Sequence, residues 1–490
     1  MSPVTSSYAR ILSRPGALQF SAAGFLARFP MSMVGISTIL TVQSLYGNYT
    51  SAGGVSAALV VATAVGAPVL ARLVDARGQS RVMLPAVLGS ALGMVGMITA
   101  AGLRAPLWVL VALALVAGGL GGSMGSLVRS RWTTVLDSPD DIHTAFSLEA
   151  ALDEVVFVVG PVAATALCTS AALPVTSGWV AALCLHLGGG LWLLSQRATE
   201  PPAHGPGPAS ALSRPRRSRD HSAGRDQAAG RDRADAQDRS AGQGQAADLA
   251  HGRGRAAGAD GRGRAAGTDG QGRADGAGPG PTATALHPGP SRTATSALRH
   301  GAVLAVVAVF LGSGALFGAN DVTAVAFATE QGRPSSSGLV LAAWALGSLS
   351  AALVYGSRTW AWPMWRQFLV GVLALALGAS TFILAGSVPV LMVLMLVTGM
   401  SIAPTVTVGN HIVQAVTPRD QLTEGLTWVG TAMNVGVSLG SLLAGRLVDT
   451  HGSRGGYVLV TVFAWLSVLV ALATIGVVRR ARVHHHLPEA

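Results

Sequence analysis

Apolar runs of about 20 residues recur along almost the whole chain, the length a helix needs to cross a bilayer. Twelve can be counted: roughly 18–43, 50–74, 82–103, 106–128, 143–170 and 174–195, then 299–327, 335–357, 364–386, 388–412, 422–448 and 456–478. Lipid offers the backbone no hydrogen-bond partner, so such runs persist there only as helices that satisfy their own N–H and C=O groups. The expected fold class is all-α integral membrane, with twelve transmembrane helices in two pseudo-symmetric six-helix bundles.

Charge is scarce and unevenly spread. Charged residues make up 12% of the 490 positions, about half the ~25% usual in soluble domains. They are concentrated in residues 197–298, rich in Ala, Gly, Arg, Asp and Pro, with near-repeats GRGRAAGAD (252–260), GRGRAAGTD (261–269) and GQGRADGAG (270–278). Such a segment cannot bury enough apolar surface to offset the entropy of ordering, so it is expected to be a disordered linker. Its interleaved Asp residues and lack of aromatics argue against nucleic-acid binding, despite the net charge of +11. The expected organisation is a tail (1–17), a six-helix bundle (18–196), the linker (197–298), a second bundle (299–479) and a tail (480–490).

Arginine positions orient the chain. They collect in the connections between spans 2 and 3 (Arg72, Arg77, Arg81), 4 and 5 (Arg129, Arg131) and 8 and 9 (Arg358, Arg366), and after span 12 (Arg479, Arg480, Arg482). The alternate connections are poorer in Arg, the last (Arg446, Arg454) excepted. The positive-inside rule then sets both termini in the cytoplasm of a multi-pass protein of the cell (plasma) membrane. Residues 1–19 are polar, carry Arg10 and Arg14, and lead into a full-length span, unlike a cleavable signal peptide. The chain contains no Lys. A Gly-x4-Gly-Lys phosphate loop is therefore absent and ATP is not the direct energy source. Cys168 and Cys184 lack metal or redox spacing, and no residue set implies an enzyme, a metal or a cofactor.

The halves resemble each other. Ala62, Ala64, Gly66, Ala71 and Arg77 of span 2 match Ala343, Ala345, Gly347, Ala352 and Arg358 of span 8 at a constant offset. Ser138-Pro139-Asp140-Asp141 before span 5 parallels Thr417-Pro418-Arg419-Asp420 before span 11, and Gly160 and Ala164 pair with Gly436 and Gly440. Parallel six-helix repeats of this kind are one way transporters are built.

Twelve spans, the repeat, a long central loop and a charged, Gly-bearing 2–3 loop resemble the major facilitator superfamily. That family's 2–3 loop carries Gly-x-Leu-x-Asp-Arg-x-Gly-Arg-Lys. Here Leu73, Asp75 and Gly78 stand in place, Ala71 and Ala76 replace the first Gly and the Arg, and Arg77 and Arg81 supply displaced charge. The resemblance implies a cytoplasmic gate of Asp75, Arg77, Gly78 and Arg81, in which Asp75 meets the start of span 11 near Leu422. A second RLVD, at 446–449, reads as an external cap or a coincidence. Gly160-Pro161 in span 5 matches part of an efflux signature and is expected to bend the helix, although Ala163-Ala164 replaces the paired glycines that follow. Span 4, read as 106–128, lacks the intramembrane Arg usual in drug antiporters of the family.

Span 5 also holds three acids, Glu149, Asp153 and Glu154. An ionised side chain at mid-bilayer costs about 2.5–3.5 kcal/mol, so each must face protein or water. Glu149 and Asp153 share a helix face, and Glu154 points about 100° away. Arg28 of span 1 lies comparably deep, and spans 1 and 5 are neighbours in the family. An ion pair between Arg28 and Asp153 or Glu154 is expected, with Glu149 shallower. A fixed pair and one that opens on protonation or substrate binding both fit. In the second half, Asn320 and Asp321 of span 7 and Trp428 and Asn434 of span 11 are substrate-cavity candidates, Asp321 also a proton-coupling candidate. The implied function is secondary active transport of a small organic molecule by alternating access. Export by a monomer, driven by protons, is the first expectation. Proton-linked nutrient uptake is an alternative, as is a non-transporting membrane sensor or scaffold that uses the linker.

Overall fold

The computed structural model describes residues 3–203, 298, 300–356, 358, 360–418 and 421–480. The expected linker lies almost wholly outside these residues, as does the tail beyond Arg480. Every regular element among the described residues is helical. The first half comprises α1 (Pro3–Leu12), α2 (Ala17–Tyr46), α3 (Tyr49–Arg77), α4 (Gln79–Gly102), α5 (Leu107–Gly121), α6 (Met124–Val135), α7 (Pro139–Thr169) and α8 (Ser177–Ser195). The second comprises α9 (Gly301–Glu330), α10 (Ser337–Gly356), α11 (Met364–Thr381), α12 (Val388–Gly399), α13 (Ile402–Val416) and α14 (Leu422–Arg480).

Helices α2, α3 and α4 are spans 1 to 3, α7 and α8 are spans 5 and 6, and α9, α10 and α11 are spans 7 to 9. Eleven helical stretches among the described residues are long and apolar enough to cross a membrane. The last, Glu424–Arg480, has 57 residues, about 85 Å of helix at 1.5 Å per residue. It folds back at Gly452, whose backbone is left-handed (φ 65°), so its two limbs are spans 11 and 12. Spans 4 and 10 each cover 29 residues, Leu107–Val135 and Val388–Val416. Both are broken in the same place, α5 to α6 at Gly122 and α12 to α13 after Gly399. The repeat read from sequence is thus also a repeat of helix interruptions.

Three expected boundaries change. The 1–17 tail contains α1, whose Ile11 is fully buried and whose Arg10 pairs with Asp141 of α7 at 2.6 Å. Residues 197–203, read as linker, begin with the 3-10 turn Arg197–Thr199, whose Thr199 is buried. Span 4 continues through α6 to Val135, so Arg129 and Arg131 are helical residues inside the bundle and not loop residues. The apolar count stops where these charges begin, but the helix does not.

Small residues let the helices approach. Gly66 of α3 faces the Gly119 carbonyl of α5, and Gly189 of α8 faces the backbone of α2 at Ala23 and Ala27. In the second half Gly314 and Gly318 of α9 face the carbonyls of Met433 and Val437, while Gly436 and Gly440 of α14 face those of Leu311 and Ala315. A Cβ at any of these would collide with main chain. In lipid, where apolar side chains gain little by leaving the solvent, close backbone packing is a main source of helix association. Large apolar side chains such as Leu92, Trp108 and Leu384 point outward, 71–79% exposed, as a lipid-facing surface requires.

Candidate functional site

Arg28 is buried in α2, eleven residues past the helix start, roughly 17 Å along the axis. Its Nη2 donates to Glu149 Oε2, and its Nη1 donates to Asp153 Oδ1 at 2.7 Å and to the Glu149 carbonyl at 3.3 Å. Its Nε donates to the Gly24 carbonyl at 3.1 Å. The other Glu149 oxygen accepts from Ser21 Oγ at 2.7 Å and from Trp132 Nε1 at 2.8 Å. Asp153 Oδ2 accepts from Arg129 Nη2 of α6 at 2.6 Å. Gly125 makes room, since a Cβ there would come within 3.2 Å of Arg129 Nη1 and 3.5 Å of Arg28 Cδ.

Two guanidinium groups and two carboxylates therefore join α2, α6 and α7 with formally balanced charge. Burying charge is tolerated only when it is paired and its hydrogen bonds are filled. The network is graded. The Arg28 and Glu149 side chains are 2% and 0% exposed, Asp153 is 21% and Arg129 is 35%. One end is sealed and the other is partly exposed.

Arg131, about 200° around α6 from Arg129, is also fully buried. It donates to Gln79 Oε1 at 2.9 Å, the Gln196 carbonyl at 2.7 Å and Thr199 Oγ1 at 2.9 Å. Gln79 opens α4 directly after Gly78. Glu200 accepts from the Ser80 amide at 2.8 Å and from its hydroxyl. The turn between spans 2 and 3 is held from two sides, while Asp75, Arg77 and Arg81 at the same turn are exposed.

The halves meet at the end of the bundle opposite α1. Gly53 of α3 faces the Ser441 carbonyl, Gly445 faces the Tyr49 carbonyl, and Gly338 of α10 faces the Pro161 carbonyl of α7. Asp449, at the end of the first limb of α14, accepts from the Tyr49 and Thr50 amides, each at 2.7 Å, and from Thr50 Oγ1 at 2.6 Å.

A family model for the Major Facilitator Superfamily matches residues 20–357 and 302–489. The chain belongs to the Major Facilitator Superfamily. It is a membrane transporter and not an enzyme. Among solved structures, a point mutant of the nucleoside transporter NupG matches with a TM-score of 0.61 at 13% identity, over 94% of this chain and 99% of that one. An auto-inhibited peptide transporter of the POT family matches with a TM-score of 0.59 at 14% identity, over 97% and 99%. A bacterial homologue of the iron transporter ferroportin, inward-facing, matches with a TM-score of 0.59 at 12% identity, over 94% and 98%. No match was found by sequence among curated proteins.

Of the sequence candidates, the transporter brings together Arg28, Glu149 and Asp153 and leaves out Glu154. Glu154 is half-buried and makes no ion pair among the described residues. Glu149, an ion-pair candidate expected to be shallower than Asp153, is the most enclosed acid of the network. The reason is geometric: a guanidinium fork reaches two acceptors one helical turn apart on a shared face. Gly160-Pro161, expected to bend span 5, lies inside α7. Gly160 lies against the Ser32 side chain of α2, and Pro161 presents its carbonyl to the other half.

The second-half candidates do not form one cluster. Asn320 is fully buried with both amide atoms unpartnered among the described residues. Asp321 and Asn434 are half-buried, and Trp428 is exposed and donates to Glu424 at 3.3 Å. Phe310, Ser313, Phe317, Thr405 and Met433 line a small crevice between α9, α13 and α14. Sequence reasoning missed Ser21, Trp132, Arg129 and Arg131 as members or neighbours of the charge network. An Arg three residues before Trp132, in register with α7's acids, was the available signal.

Proposed function

We propose that this transporter exports a small organic molecule across the cell membrane by alternating access, driven by the proton gradient. The observation that carries this reading is the placement of Asp153. One of its oxygens is held by the enclosed Arg28, the other by the partly exposed Arg129. A proton or a substrate arriving from the open side competes with Arg129 for Oδ2, while Glu149 keeps Arg28 paired. Charge can then change at one residue without stranding a buried cation, which would cost about 3–5 kcal/mol.

The Arg-rich connections support a cytoplasmic assignment for the end bearing α1, and hence for both termini and the 204–297 segment. With the halves joined at the opposite end, the form described here is, on this reading, the one closed to the outside. Export is supported by the Gly160-Pro161 pair, which resembles part of an efflux signature. The transporter works as a monomer in the bilayer, and Asp75 is its cytoplasmic gate in the opposite form.

The test is dye and antibiotic retention in cells that express the transporter, with and without a protonophore, beside Asp153→Asn and Glu154→Gln variants matched for expression. Retention should fall, return with the protonophore and return with Asp153→Asn but not with Glu154→Gln. Unchanged retention with well-folded protein would sink export of such compounds.

A further inference from the structure

The chain carries the same motif twice: RLVDARG at 72–78 and RLVDTHG at 446–452. One ends α3 and the other ends the first limb of α14. In both the glycine three residues past the Asp has a positive φ, 93° at Gly78 and 65° at Gly452, and the next helix starts directly after it. A Cβ is strained in that conformation, so glycine fits both turns.

The two helices that carry the motifs pack against each other and run antiparallel. Moving along α3 from Tyr49 to Gly53, the facing residue falls from Asp449 and Gly445 to Ser441. The first limb of α14 therefore places Asp449 beside the start of α3, while Asp75 and the start of α14 lie toward the opposite end of the antiparallel pair. At the face that is closed here, the pairing is made. The first amides of a helix have no intrahelical partner. Asp449 takes those of Tyr49 and Thr50, and Asn48 takes that of Ser51 at 2.7 Å. An acid is favoured at this positive helix end, and its hydrogen bonds are charge-assisted. At the other face, Asp75 is exposed and makes no hydrogen bond or ion pair among the described residues.

Two further carboxylates cap helix starts, which gives an internal control. Glu200 caps α4 at Ser80, and Glu330 caps the second limb of α14 through the Ser453 amide at 2.7 Å and its hydroxyl. Both stay within one half and have no reason to break as the halves move. The Asp449 cap crosses between halves and must break for the closed face to open.

Resting on the alternating-access reading above, we infer that Asp449 is the positioning residue that holds the outer face shut. In this form it closes on the start of α3 through the Tyr49 and Thr50 amides and the Thr50 hydroxyl.

The test reads conformation, not transport. The full chain, with Cys168 and Cys184 replaced by Ala, carries spin labels on cysteines at Leu173 and Leu384 for the outer face. A second version carries them at Thr134 and Trp362 for the inner face. Asp449→Asn should raise the ratio of outer-open to outer-closed distances roughly tenfold, the effect of losing a charge-assisted bond worth ~1.5 kcal/mol or more. Thr50→Val should shift it the same way by less. Asp75→Asn should leave the outer face closed or tighten it. Glu330→Gln, which removes a cap inside one half, should lower thermal stability without moving the ratio. An unmoved ratio in both Asp449→Asn and Thr50→Val, with two populations in the unmodified chain, overturns the gate alone. A single population at both faces under all conditions overturns alternating access and the gate with it.

Discussion

Spans 1 and 5 and spans 7 and 11 hold corresponding places in the two bundles, yet different chemistry joins them. Helix α2 meets α7 through Arg28, Glu149, Asp153 and two serines, with Gly160 as the one close glycine. Helix α9 meets the first limb of α14 through Gly314, Gly318, Gly436 and Gly440, each set on the other helix's main chain. Long charged side chains can exchange partners while their backbones stay in place. A backbone seated on a backbone has no slack. On the proposed mechanism the first joint is the one that responds to a proton or a ligand, while the second holds α9 and α14 at a fixed separation.

The largest effect should come from the sealed end of the ionic joint. Arg28→Met strands Glu149, whose side chain is 0% exposed, and should cost about 3–5 kcal/mol. Thermal unfolding in detergent reads this, and adding Glu149→Gln should recover most of the loss. Full stability of Arg28→Met alone would remove the structural role of the network.

Next comes the glycine joint. Gly440→Val drives a side chain into the Ala315 backbone and should cost about 1–3 kcal/mol or more. Gly160→Ala meets side chains and no main chain: the Ser32 hydroxyl, which can rotate away, the Ser32 Cβ at 2.9 Å, which must shift slightly, and Met33 Cγ at 3.5 Å. Its smaller cost should vanish when Ser32→Gly is added. Equal costs at both glycines would erase the contrast between the joints.

Smaller still is the open end of the network. Arg129 is 35% exposed, so Arg129→Ala should change stability by no more than about 1 kcal/mol while abolishing dye export. A stability loss matching Arg28→Met would show that the network is locked throughout. Glu154→Gln should stay within about 0.5 kcal/mol and leave export intact. Loss of export there would move the coupling acid to Glu154.

Much of the fold was legible because lipid imposes a length on every span and makes charge rare. The Arg28 pairing with span 5 was legible for the same reason: few ions lie at that depth. That Glu149 accompanies Asp153 was open to helix geometry, since residues four apart share a face, but depth alone left Asp153 and Glu154 as alternatives, of which the structure pairs Asp153 with Arg28. The two arginines of α6 were lost because hydropathy ends at a charge whether or not the helix does. Asp449 had a visible motif, yet nothing near it in sequence pointed to Tyr49 and Thr50.

The sequence by itself determined the twelve crossings, the doubled bundle and the polar central segment, all of which follow from local composition and spacing. Only the tertiary structure decided which acids share Arg28, that α6 carries its arginines inward, and which face is shut. Those depend on contacts between distant residues, and the last on hydrogen bonds between groups about 400 positions apart. Backbone amides carry no residue identity, so a cap on them leaves no trace in the sequence it closes upon.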